Sequence, residues 1–155
     1  LIKNKIFNKS KPMQLKIKLL RQVPLPAYGR AGDAALDLRA VLEAPLTLAP
    51  GERTEVPSGV AMAIPAGFVG LIFPRGGWGN KGLHLGNVTG VIDSNYRGEI
   101  MLNLVNNGPT TLTINPLDRV MQLAIMPVAT CTPVAVTELD ETNRGDGRYG
   151  SSGVV

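Results

Sequence analysis

EIMLNLVNNGPTTLTINPLDRVMQLAIMPV, residues 99–128, holds three apolar runs divided by two turn signals. EIMLNLVN (99–106) and TLTI (111–114) are short and end at NNGP and NPLD, where Asn, Gly and Pro supply turn geometry. The third run, RVMQLAIMPV (119–128), contains VMQLAIM, whose apolar spacing suits either helix or strand; its length favours a strand. That reading makes the whole chain all-β, because the other segments carry the same signature. In MQLKIKLL, Met13, Leu15, Ile17 and Leu19 alternate with polar residues, the period of a strand with one buried face. VAMAI (60–64), FVGLIF (68–73) and TPVAVTEL (132–139) are similarly short, and APGE, IPAG and NYRG punctuate the chain between runs. With 12 prolines and 18 glycines there is little room for a long helix. Short strands spaced by about 8–12 residues point to a sandwich or barrel. Neither an internal repeat nor a second domain is visible.

A chain of 155 residues that is 44% hydrophobic suits one domain with a real core. No apolar run approaches the roughly 20 residues of a membrane helix, and the first residues are unlike a secretion signal. The expectation is a cytoplasmic protein without a membrane partner. Cys131 is the single cysteine, so no intramolecular disulfide or thiolate cluster is available, and a buried, inert thiol is expected there. The net charge of +4 suggests nucleic acid until its distribution is read. Lys3, Lys5, Lys9, Lys11, Lys16, Lys18, Arg21 and Arg30 precede the first acid, Asp33, and the rest of the chain is acidic on balance. No nucleic-acid footprint is therefore expected on the folded body. Residues 1–12 read as a leader, tag or disordered arm, 13–139 as the β domain and 140–155 as a flexible lid.

In an all-β fold, chemistry sits on loops at strand ends. Four stretches stand out. AGDAALDLRA (31–40) sets Asp37 between leucines, where a carboxylate needs a cation as partner or organises a metal-bound ligand. PRGGWG (74–79) offers the Arg75 fork and glycines that let backbone N–H groups approach an anion; it also reads as a plain turn. GVIDSNYRGEI (90–100) places Asp93 and Tyr96 in a tight turn, either a general base with an aromatic platform or an ordinary Asp-capped hairpin. RGDGRYGSSG (144–153) has the composition of a mobile tail, and Arg144, Tyr149, Ser151 and Ser152 would also suit a closing lid.

Taken in order, these stretches resemble the trimeric deoxyuridine triphosphatases, the dUTPases. AGDAALDLRA is similar to that family's first motif, PRGGWG to the second, GNVTGVIDSNYRG to the third, DRVMQLAIMPV to the fourth and RGDGRYGSSG to the fifth. The resemblance spans residues 15–153. It implies a distorted jelly-roll-like β-barrel, a homotrimer whose C-terminal tail crosses to a neighbouring subunit, and hydrolysis of dUTP to dUMP and pyrophosphate. It also implies Mg2+ held mainly by the substrate triphosphate, with no direct protein ligand.

By the same resemblance, Asp93 activates the attacking water, Gln122 helps hold that water or the α-phosphate, and Asp37 is linked to the metal through its waters. Arg75, Gly76 and Gly77 face the phosphates. Asn87, the backbone of Gly90, Val91 and Ile92, and the region of Met101 form a hairpin slot for uracil. Tyr96 packs under the sugar. Tyr149 stands where phenylalanine usually stacks on the base, Arg144 reaches the γ-phosphate, and Gly150, Ser151 and Ser152 lie alongside. His84 receives no role and reads as a strand or surface residue.

One position departs from the pattern: the second motif usually reads Pro-Arg-Ser-Gly, and Gly76 stands in place of the serine. A hydroxyl donor to the leaving phosphates is absent, which opens an alternative, a dUTP-binding regulator with weak turnover. The related dCTP deaminases need a glutamate where this chain has Asn103, so deamination is not expected.

Overall fold

The computed structural model describes residues 13–149. Ten strands and one helical turn follow the chain: β1 (Lys16–Leu19), β2 (Leu36–Arg39), β3 (Leu46–Leu48), β4 (Arg53–Ala63), β5 (Phe68–Pro74), α1 (Gly76–Gly79), β6 (Leu83–Leu85), β7 (Gly90–Ile92), β8 (Glu99–Asn106), β9 (Leu112–Ile114) and β10 (Arg119–Pro127). They pair as three antiparallel sheets, in the orders β1-β4-β8-β6, β2-β10-β5-β7 and β3-β9. VMQLAIM is a strand, as its length indicates.

Alternation explains the core. Leu36 and Leu38 of β2, Leu102 and Leu104 of β8, and Leu112 and Ile114 of β9 all turn inward, while the residues between them face out or lie at the rim. All three sheets contribute to a single apolar cluster, in which Leu38, Leu102, Leu104, Ile114, Met121 and Leu123 are almost wholly buried. Each such side chain contributes roughly 1.5–3 kcal/mol on burial. The polar Asn106 survives at the centre because its amide is fully used: it donates to the carbonyls of Leu48 and Thr110 and accepts from the Gly108 N–H.

Three sequence expectations need correction. TPVAVTEL forms no strand: Val134, Val136 and Leu139 are exposed, the last by 85%, since this alternating segment meets no sheet edge within the chain. Cys131, on the same stretch, is exposed rather than buried. Third, β7 and β8 do not form a hairpin. β7 pairs with β5, whereas β8 pairs with β4 and β6, so the turn carrying Asp93 and Tyr96 joins two different sheets. The first strand is also shorter than its pattern, with Leu15 and Ile17 against the core and Met13 and Leu19 exposed. No helix among the described residues is long and apolar enough to cross a membrane.

Candidate functional site

Strand β10 runs between β2 and β5, and its register assembles the polar cluster. Gln122 lies opposite Asp37 on one side and Phe73 on the other, so the outward faces of three strands meet at one point. Strict alternation from Gln122 would turn Arg119 toward the core. A register shift between Arg119 and Met121 prevents this: Val120 and Met121 are both fully buried, and Arg119 emerges on the side of Asp37.

The result is a carboxylate gripped by two guanidinium groups. Arg75 Nε lies 2.7 Å from Asp37 Oδ1, and Arg119 Nη1 donates to Asp37 Oδ2 at 3.0 Å. The Asp37 side chain is only 12% exposed, and the arginines are 33% and 44% exposed. Arg75 is further fixed by its Nη1, which donates to the Arg119 carbonyl at 3.3 Å, and by its backbone N–H on Val120 O. Gln122 Nε2 donates to Pro74 O at 3.0 Å. The ion pair, one of the two arrangements open to Asp37 from sequence, is formed. Arg119 was not legible as a partner, because only the register shift brings it there.

Two cavities adjoin this cluster. One, of about 410 Å³, lies against Gly29, Asp33, Asp37, Phe73, Arg75 and Gln122. The other, of about 460 Å³, is lined by Arg75, Gly76, Gly77, Trp78, Lys81 and Gln122. Arg75 and Gln122 border both. PRGGWG is thus neither an irregular turn nor a hairpin loop: Gly76–Gly79 close one helical turn directly after β5. The first N–H groups of such a turn find no partner inside it, and a Cβ at Gly76 or Gly77 would meet nothing within 4 Å. The site is open there.

The remaining predicted residues lie elsewhere. Asn87 and Val91 are exposed, and Gly90 is buried against Ile72, where a Cβ would have to push that side chain aside. Val88, beside Asn87, has φ 66°, a left-handed conformation that costs an L-residue about 1–2 kcal/mol. Asp93 is exposed, and its carbonyl accepts the Tyr96 N–H at 3.1 Å. The Tyr96 hydroxyl donates to Glu99 O at 2.9 Å, fixing the ring on the turn, and Met101 is exposed on β8. None of Asn87, Asp93, Tyr96 or Met101 lines either cavity. In the tail, Arg144 donates to its own Gly147 carbonyl and Tyr149 is fully exposed. Gly150, Ser151 and Ser152 lie outside the described residues. His84 sits half-buried on β6 opposite Val105, away from these groups. Asn103 Oδ1 is buried without a hydrogen-bond partner, and an amide there cannot act as a general base.

Among the described residues, no group of three or more His, Cys, Asp or Glu side chains is placed to hold a metal ion. Both Asp37 oxygens already accept from arginines, although each keeps a further lone pair for a water. Asp37 thus keeps the capacity to accept a hydrogen bond from a water on a bound cation.

Comparison with known proteins agrees with the geometry. The dUTPase family model matches residues 21–153. The deoxyuridine 5'-triphosphate nucleotidohydrolase of Paraburkholderia phymatum is 48% identical over 91% of this chain and 99% of its own, and that of Aeromonas hydrophila 46% identical over 90% and 97%. Among solved structures, the dUTPase of Staphylococcus bacteriophage 80alpha with dUpNHpp superposes with a TM-score of 0.81 at 27% identity, covering 91% of this chain and 99% of that one. The dUTPase of phage phi11 of S. aureus gives 0.74 at 26% identity, covering 84% and 100%. With a family match over most of its length, relatives near half identity and a shared antiparallel β fold, the chain belongs to the dUTPase family.

Proposed function

We propose that this protein hydrolyses dUTP to dUMP and pyrophosphate, limiting uracil incorporation into DNA and supplying dUMP for thymidylate synthesis. The observation that carries the reading is the Asp37–Arg75–Arg119 clamp, with Gln122 beside it and two open cavities on either side. A polyphosphate laid there meets cationic forks whose orientation is already fixed, so little freedom is lost on binding. Asp93 takes a proton from water as that water attacks the α-phosphorus in line, and Gln122 helps hold the water or the α-phosphate. Asp37 would hold the waters of a magnesium ion carried by the triphosphate, and that ion would supply positive charge against the phosphates.

Uracil enters a slot formed by Asn87, the backbone of Gly90–Ile92 and the region around Met101. A 5-methyl group clashes there and a 4-amino group presents the wrong donor. Tyr96 packs against the sugar and leaves no room for a 2′-hydroxyl. With magnesium, pyrophosphate release from dTTP, dCTP and UTP is expected to be slower than from dUTP by about 10²-fold or more. Equal turnover of all four nucleotides would overturn the assignment.

That Asp93 lines neither cavity beside the Asp37–Arg75 cluster supports an assembly that shares its sites. In this reading each chain is a distorted jelly-roll-like barrel, three copies form a homotrimer, and Asp93 of one copy faces the Asp37–Arg75 cluster of the next. The exposed Val134 and Val136, two residues apart, supply an apolar face for a neighbour's sheet edge. Beyond them, Arg144 and Tyr149 close over the bound nucleotide. Residues 1–12 lie outside the described residues, and the enzyme works in the cytoplasm, where nucleotides are metabolised. Shared sites have a direct test: co-refolding inactive Asp93→Asn and Asp37→Ala chains in equal amounts should restore about a quarter of wild-type activity, because some sites receive both intact groups. No recovery would place each site within one chain.

A second reading, a dUTP-binding regulator with slow turnover, rests on Gly76, which presents no side chain to the open cavity. Tight dUTP binding with pyrophosphate release near background would favour it.

A further inference from the structure

The cavity beside α1 has two cations in its wall, Arg75 and Lys81, and they are not equivalent. Arg75 has part of its fork engaged: Nε holds Asp37 and Nη1 holds the Arg119 carbonyl. Gln122, also in the wall, has its amide on Pro74 O. Gly76 and Gly77 bring no side chain. Lys81 has no carboxylate partner among the described residues; its ammonium instead lies 5.1 Å from the centre of the Trp78 ring, over the face. A ring face attracts the cation without neutralising it and leaves its three N–H donors able to turn elsewhere.

The base of this side chain is well anchored, although its end is free. Lys81 N–H donates to Trp78 O at 3.0 Å, closing the turn, and the next residue, Gly82, packs on Gly108 so closely that a Cβ would run into the Gly108 backbone. Gly82 also has φ 96°, which only glycine adopts freely. The stem therefore starts from a fixed point at the cavity wall, with four methylenes of reach.

Resting on the dUTPase reading, we propose that Lys81 stabilises the departing pyrophosphate, in the place that Gly76 leaves without a side-chain donor. As the water oxygen bonds to the α-phosphorus and its proton passes to Asp93, the bond from that phosphorus to the bridging oxygen breaks. The electron pair leaves on the pyrophosphate. Lys81 donates N–H to the oxygens where this charge grows, and Trp78 keeps the ammonium beside the cavity until then. Because the charge develops on the way to the transition state, the contribution falls on kcat more than on KM.

The test is steady-state pyrophosphate release from dUTP by the full chain, with and without Gly76→Ser. Lys81→Met and Lys81→Gln should each lower kcat by about 10- to 100-fold with KM within about threefold, and Lys81→Arg should retain most of the rate. In the Gly76→Ser background the same Lys81→Met change should cost at least about fivefold less, because a hydroxyl then shares the task. An unchanged kcat, a change confined to KM, or an equal loss in both backgrounds would each overturn the role of Lys81. Failure of the unsubstituted chain to release pyrophosphate from dUTP would instead overturn the underlying activity.

Discussion

Asp93→Asn is expected to lower kcat for dUTP by about 10³-fold while a non-hydrolysable dUTP analogue binds within about threefold of its original affinity. The amide keeps the size of the side chain and loses the property the proposed mechanism asks of Asp93, a basic oxygen to take the proton of the attacking water. Asp93 is exposed on a turn whose backbone is held by the Asp93 carbonyl to Tyr96 N–H bond and by the Tyr96 hydroxyl on Glu99, so the side chain can be changed without disturbing the fold. Single-turnover rates and analogue titration together check the split. A parallel loss of binding would mean that Asp93 positions the nucleotide; an unchanged rate would mean that another group activates the water.

Asp37→Ala should damage both stability and turnover. The carboxylate separates two guanidinium groups, and removing it leaves two positive charges facing one another beside a half-buried strand. Breaking a fully buried pair costs about 3–5 kcal/mol; here the arginines are a third or more exposed and water screens them, so about 1–3 kcal/mol is expected. Released from Asp37, Arg75 also loses the fixed orientation that the proposed phosphate contact relies on, and misplacement of that kind costs about 10²-fold in kcat/KM. Denaturant unfolding and steady-state kinetics measure the two effects separately. Asp37→Asn should recover little of either, since its amide keeps the shape but replaces an anionic acceptor with a neutral group that also carries donors. If the alanine variant were as stable and as active as the original chain, the clamp would be incidental to the site.

Much of the fold was legible because strand signals are local. The two-residue period in EIMLNLVN and the turn residues of NNGP and NPLD are set by where a pleated chain points its side chains and by which residues tolerate tight turns. The motif-bearing stretches were legible for the same reason: the family resemblance depends on residue types in order along the chain. The segment 132–139 shows the limit. Its alternation is that of a strand, but a strand also needs a partner edge, and the pattern does not say whether the same chain provides one.

What the sequence by itself determined about this protein is its all-β class, the apolar faces of its principal strands and the group of residues, Asp37, Arg75, Asn87, Asp93, Tyr96 and Gln122, that carries the family's motifs. Tertiary structure alone decided how those residues are grouped. The register shift in β10 brings Arg119 onto Asp37, and the pairing of β7 with β5 rather than β8 turns the Asp93 loop into a crossing between sheets. One residue of register reverses the face on which a side chain appears, and no local preference of Arg119 or Val91 encodes that choice. It is set by which hydrophobic faces close the shared core.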